Sequence, residues 1–215
     1  VKLLERLGYE VIIPSWSCCG RIDLSVGDDE KAKLKAKRNV EVALDALKTA
    51  DYIVGLEPSC ILSFKDEYLD LLPGNDDVVS VAGKTILIDE LLMQNIEAIK
   101  TFNLNKLPET ILVQTHCHQK ALLGENSSLL VLNSIPNCNV VELDSGCCGM
   151  AGSFGFEKEH YELSMSLGKM NLFDKINEHN QDVEIVSMGT SCRQQILDGT
   201  GRTPLHITEL FLKTI

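Results

Sequence analysis

The sequence is that of an α/β protein made of two duplicated modules, each a small parallel sheet flanked by helices, related by a pseudo-twofold. Three observations lead to this reading. Apolar stretches of strand length alternate with stretches of helical periodicity along nearly the whole chain. The tripeptide Cys-Cys-Gly occurs twice, as Cys18-Cys19-Gly20 and Cys147-Cys148-Gly149. The segments around the two copies superimpose under almost the same shift.

Residues 1–8 read as the end of an amphipathic helix with Val1, Leu4 and Leu7 on one side. This helix leads directly into an apolar strand at 9–14, so the pair is expected to be the second half of a βαβ unit whose first strand lies upstream of Val1. After Trp16 and the first Cys-Cys-Gly turn, Asp28 is a suitable N-cap for a helix over 29–50. Ala36, Val40, Ala43, Leu44 and Leu47 form its apolar stripe, and its lysines lie on solvated faces. A strand at 52–56 ends in Glu57-Pro58-Ser59-Cys60, followed by a helix over 61–72 that Pro73-Gly74 stops. Residues 75–83 have little periodicity and read as the linker between a first module, 1–80, and a second, 81–215. A helix over 85–101 bridges the halves, carrying Ile88, Leu91, Leu92 and Ile96 on one face.

Strand and helix then alternate again. A strand at 111–115 ends in His116-Cys117-His118, and helical stretches pass through Lys120 and Leu123 and over 127–134. A strand at 139–143 leads to Cys147-Cys148-Gly149, and a long helix spans 156–178. The strand at 183–188 ends in Gly189-Thr190-Ser191-Cys192, before a helix at 193–198 and an amphipathic segment at 208–215.

A formal net charge of -11, with no long basic stripe, argues against nucleic acid and against an anionic membrane surface. There is no apolar run of about 18 residues to insert into a membrane, and no export signal opens the chain, so a cytoplasmic setting is expected. In such a setting the eight cysteines are read as reduced metal ligands rather than disulfides.

A shift of 129 places Cys18-Cys19-Gly20 on Cys147-Cys148-Gly149, and a shift of 132 places Ser59-Cys60 on Ser191-Cys192. The second copy has four candidate ligands, Cys117, Cys147, Cys148 and Cys192, all at strand ends or turns on one edge of a parallel sheet, where ligands bind in open α/β folds. The first has Cys18, Cys19 and Cys60, which make a second candidate site only with Glu57 as an oxygen donor or with a ligand from outside these residues, and otherwise read as a degenerate module kept for packing; Cys138 has no counterpart and reads as a bystander. Four thiolates suit a [4Fe-4S] cluster and equally suit zinc, and spacing alone does not choose. Gly149, Gly152 and Gly155 let backbone N–H groups approach an anionic centre. His116 and His118 are expected to support the site by hydrogen bonds, and Arg193 to neutralise it or meet a partner's carboxylate.

This arrangement resembles the cysteine-rich, CCG-type domain of heterodisulfide reductase and of the iron-sulfur subunits or domains of FAD-linked glycolate, D-lactate and anaerobic glycerol-3-phosphate dehydrogenases. Through Leu56-Glu57-Pro58-Ser59-Cys60, His116-Cys117-His118-Gln119-Lys120 and Gly189-Thr190-Ser191-Cys192 it resembles the C-terminal part of fused FAD-linked 2-hydroxyacid dehydrogenases. The resemblance implies Rossmann-like modules and an electron-transfer role. Electrons would pass from a flavin dehydrogenase domain or subunit, holding FAD upstream, through a cluster to an acceptor, a quinone or redox protein. The family pattern has a Cys-x-x-Cys in each module, and Glu57 and Gly189 stand at the first of those positions here, which weighs against a disulfide reductase. A zinc-stabilised module docking a partner subunit is the alternative from a different class. No nucleophile with a neighbouring base is legible, so no catalytic residue is assigned.

Overall fold

The computed structural model describes residues 1–124 and 126–215. The first half opens with helix α1 (Lys2–Arg6), whose Leu3 is buried. Gly20, with φ 88°, turns the chain into α2 (Arg21–Ser25). Helix α3 (Asp29–Ala46) starts where expected, the Asp28 carboxylate accepting from Lys31 N at 3.2 Å. Its Ala32, Ala36, Val40 and Ala43 make the buried stripe at helical spacing. Strand β1 (Ile53–Gly55) then leads to α4 (Pro58–Lys65) and α5 (Glu67–Leu71), which meet at Asp66 with φ −124° rather than forming one helix over 61–72.

Three expectations for this half fail. The strand at 9–14 has no ladder among the described residues, and Ile12 and Ile13 are 51% and 75% exposed. A lone extended segment cannot pair its own backbone groups, so apolar composition without a neighbouring strand leaves it irregular. The linker at 75–83 is instead helix α6 (Asp76–Lys84), capped by Asn75 and with Val78 and Val81 fully buried. Asp76 and Asp77 belong to its first turn, where acidic side chains favour the helix dipole, and the two valines three apart supply its buried stripe. The helix over 85–101 begins as a strand, β2 (Thr85–Leu87), parallel to β1, and continues as α7 (Ile88–Gln94) and α8 (Ile96–Ile99). It does bridge. Leu87 packs with the first half's core of Val40, Leu62 and Tyr68, and Ile88, Leu92 and Ile99 pack with Ile111 and Val113 of the second.

The second half holds β3 (Thr110–Gln114), α9 (Cys117–Leu123), α10 (Ser127–Asn133), β4 (Asn139–Glu142), α11 (Tyr161–Gly168), α12 (Asp174–Asn177), β5 (Glu184–Ser187), α13 (Thr190–Thr200) and α14 (Ile207–Leu212). The predicted helix over 156–178 is divided, with α11 and α12 joined by a π-helical turn, Lys169–Phe173. The three strands are all parallel in the order β4-β3-β5. Alternation along β3 sends Ile111 and Val113 into one core with α7, α10 and α14, and Leu112 into another with Leu172, Ile176 and Ile196. The architecture is thus α/β, two small parallel sheets flanked by helices.

The duplication runs further than the two sequence anchors. Val186 of β5 bridges Leu205 in parallel, as β1 pairs with β2. Each of these pairings leads into a helix whose third residue reaches back to its start: Glu90 accepts from Leu87 N at 2.8 Å, and Glu209 from His206 N at 2.7 Å.

Candidate metal centre

Each cysteine of the second set comes from the carboxyl end of a strand or the turn after it. Cys117 opens α9 directly after β3, Cys147 and Cys148 follow β4, and Cys192 lies in the first turn of α13 after β5. Because the strands are parallel, all these ends fall on one edge of the sheet. The sulfurs form a row. Cys117 contacts Cys147, Cys147 contacts Cys148, and Cys148 contacts Cys192. Cys148 and Cys192 are buried, whereas Cys117 and Cys147 are exposed. Cys138 packs against the other face's core and takes no part.

The loop carrying Cys147 and Cys148 is wound so that its amides face sulfur. Asp144, Gly146, Gly149, Ala151 and Gly152 all have positive φ, from 35° to 97°. Alternation between left- and right-handed backbone makes a concavity of N–H groups suited to an anion. Gly149 N donates to Cys147 Sγ at 3.4 Å, and the Ala151 amide reaches it too. Hydrogen bonds from the Cys117 thiol first, then from Cys148 and these amides, hold the Cys147 thiol far below its ordinary range. The same contacts, with burial, push Cys117 and Cys148 up.

Gly149 has no room for a side chain. A Cβ there would stand 2.4 Å from Ser164 O, and 3.1 Å from Gln195 Nε2. Gln195 donates to Ser164 O at 2.9 Å and to its hydroxyl at 3.1 Å, holding α11 against the corner. Gly189 is crowded as well: an added Cβ would lie 2.4 Å from His116 Cδ2 and 3.4 Å from Cys192 Sγ. His116, not a fifth sulfur, fills the space beside Cys192.

The first set is also held by a hydrogen-bonded frame. Cys19 contacts both Cys18 and Cys60, and the Cys60 contact chiefly lowers the Cys19 thiol to about 6. Cys60 is raised correspondingly. Fully buried Asn39 accepts from Ser17 N and Oγ at 3.0 and 2.9 Å, donates to Cys18 O at 3.2 Å, and donates to Tyr68 Oη at 3.0 Å. The Tyr68 hydroxyl donates in turn to Cys19 O at 2.9 Å. Nothing in the sequence singles out Asn39, Tyr68 or Gln195; only their helical spacing to the apolar stripe marks them as buried.

Other residues singled out from the sequence bind protein rather than sulfur. Glu57 accepts from Thr190 N at 2.7 Å and from Ser59 N at 3.4 Å, so its carboxylate bridges the start of α4 and the start of α13. His116 accepts from His118 N through Nδ1 at 3.2 Å, capping α9, and its Nε2 meets Ser59 Oγ at 3.1 Å. Burial lowers its pKa. His118 lies 2.9 Å from the Arg21 guanidinium, which also pairs with Glu67; burial, then this guanidinium, lowers its pKa. Arg193 donates to Ser187 O at 3.0 Å and Met188 O at 2.7 Å, fixing the turn into α13. Gly152 has φ 70°, and a Cβ added there would meet no atom within 4 Å.

The donor set fits a metal-sulfur group: four thiols converge and backbone amides point at Cys147. Among the described residues, Asp66, Glu67 and His118 bring three ligand atoms within 4.8 Å of one another. That acidic group already holds the Arg21 cation.

A model of the cysteine-rich domain family, CCG, matches residues 1–65 and 111–197. One subunit of the anaerobic glycerol-3-phosphate dehydrogenase of Escherichia coli K12 is 30% identical over 198 residues, 91% of this chain and 49% of that protein. Lactate utilization protein A of Geobacillus thermodenitrificans is 28% identical over 228 residues, covering 98% of this chain and 89% of its own length. D-2-hydroxyglutarate dehydrogenase of Pantoea ananatis is 23% identical over 216 residues, all of this chain but 20% of that protein. The chain thus spans about half the length of the glycerol-3-phosphate dehydrogenase polypeptide it matches.

Proposed function

The chain belongs to the CCG cysteine-rich domain family, and from that premise we propose that it is an iron-sulfur electron-transfer domain working with an FAD-linked dehydrogenase of 2-hydroxyacid type. The observation that carries the reading is the row Cys117–Cys147–Cys148–Cys192, with backbone amides turned onto Cys147. A [4Fe-4S] cluster bound there would supply one-electron transfer at a potential that hydrogen bonds to sulfur help to set. Cys148 and Cys192 would anchor it from the protein side, and Cys117 and Cys147 would hold its solvent-facing edge. Gly149 and Ala151 would stabilise the anionic form through their N–H groups.

The first set offers three sulfurs, with Glu57 engaged elsewhere, so the cluster is assigned to the second set. Its partners in this reading are a flavin dehydrogenase domain or subunit as donor and a quinone or redox protein as acceptor. The names of the dehydrogenase and lactate-utilization relatives accord with this. No helix among the described residues is long and apolar enough to cross a membrane. Eight free cysteines suit a reducing, cytoplasmic setting.

Anaerobic reconstitution with iron and sulfide tests the proposal. Wild-type protein should gain visible sulfur-to-iron absorption, Cys148→Ala should lose it, and Cys138→Ala should keep it. Failure of the wild type to gain that absorption refutes the cluster. Stoichiometric zinc retained through anaerobic purification points instead to a zinc-stabilised docking module.

A further inference from the structure

We infer that Gln114 is a positioning residue that sets the separation of Cys117 and Cys147, an inference whose consequence for cofactor binding rests on the cluster proposed above. Gln114 ends β3 and is 2% exposed. The backbone ladder between β3 and β4 runs out just there, its last bond being Leu143 N to Val113 O at 3.0 Å. Beyond it the two chains separate, one to Cys117 and the other to Cys147. The Gln114 side chain takes over where the ladder stops. Its Nε2 donates to Thr115 O at 3.2 Å and to Gly146 O at 3.3 Å, and its Oε1 accepts from Ser145 Oγ at 2.5 Å.

Every polar position of that carboxamide is thereby used. Thr115 lies two residues before Cys117, and Gly146 immediately before Cys147, so one buried amide ties together the two chain ends that present the exposed thiols. A carboxylate in its place would lose both donors and face two carbonyl oxygens in a buried setting, which opens the gap. A side chain one methylene shorter cannot span both chains. Neither change touches the first half, where Asn39 and Tyr68 hold the other corner.

The experiment uses the reduced, metal-free full chain and the thiol-bridging reagent dibromobimane, with links mapped by mass spectrometry. Wild-type protein should form Cys117–Cys147 and Cys19–Cys60 links. In Q114E the Cys117–Cys147 yield should fall about tenfold relative to the Cys19–Cys60 yield, which serves as the internal control for folding. Q114N, the milder variant, should show the same selective loss. Equal yields of the two links in Q114N and wild type overturn the inference. After reconstitution, Q114N should also shift the midpoint potential of the visible absorption, which a purely stabilising residue would not do. A wild type that takes up no cluster refutes the function proposed above while leaving the cross-linking result to decide this one.

Discussion

Replacing Gly149 by alanine separates two costs that the structure allows to be worked out independently. The residue sits at φ 97°, where an L side chain costs about 1–2 kcal/mol against glycine. The added Cβ would also lie 2.4 Å from Ser164 O, a backbone atom of α11 that Gln195 holds from the other side. Forcing that helix off the corner adds about 1–3 kcal/mol, the usual cost of overpacking. The expected loss is about 2–5 kcal/mol in total. Gly152→Ala is the matched control: φ is 70°, but the added Cβ would meet no atom within 4 Å, so only the backbone cost of about 1–2 kcal/mol applies. Urea unfolding of the two variants, with unchanged denaturant slopes, reads the difference directly. Equal midpoints for the two variants would refute the packing argument and leave Gly149 a residue required only by its turn.

Tyr68→Phe should cost about 1–3 kcal/mol in the same assay, since it leaves Cys19 O and an Asn39 N–H buried without a partner. Glu57→Ala should cost about 0.5–2 kcal/mol through the uncapped start of α13, and hydrogen exchange at the Thr190 amide should speed up; unchanged exchange there counts against the bridge. His206 is buried with its ring bonded to Leu56 O at 3.1 Å, and burial lowers its pKa. The unfolded chain therefore binds the extra proton first. Stability should fall as pH drops below about 6.5 and level off below the folded-state value, and His206→Gln should flatten that slope in urea midpoints measured between pH 7 and about 5.

The order of strands and helices in the second half, the repeated Cys-Cys-Gly turn and the two groups of cysteines are legible in the chain before it folds, because these are local or self-referential features. Period, caps such as Asp28, and a repeated Cys-Cys-Gly turn can be read without knowing what touches what. Sequence reading misled where composition stood in for contact. Residues 9–14 carry strand composition but have no neighbour, whereas 76–84 look like a linker but hold two valines that the first core buries. Thr85-Ile86-Leu87 fits a helical period until β1 offers it a ladder.

How the polar residues of the site are used depends instead on the folded arrangement. Alternation alone predicts that His116 and His118 turn from Cys117, but not that they meet Ser59 and Arg21 from the other half. Glu57 reads as a candidate ligand until Thr190, distant in sequence, claims its carboxylate. The lowered pKa of Cys147 depends on sulfurs and amides that converge only when three parallel strands end together. Gln114, Asn39 and Gln195 carry no motif because a buried amide's role lies wholly in its distant partners, and those partners are set by packing rather than by spacing.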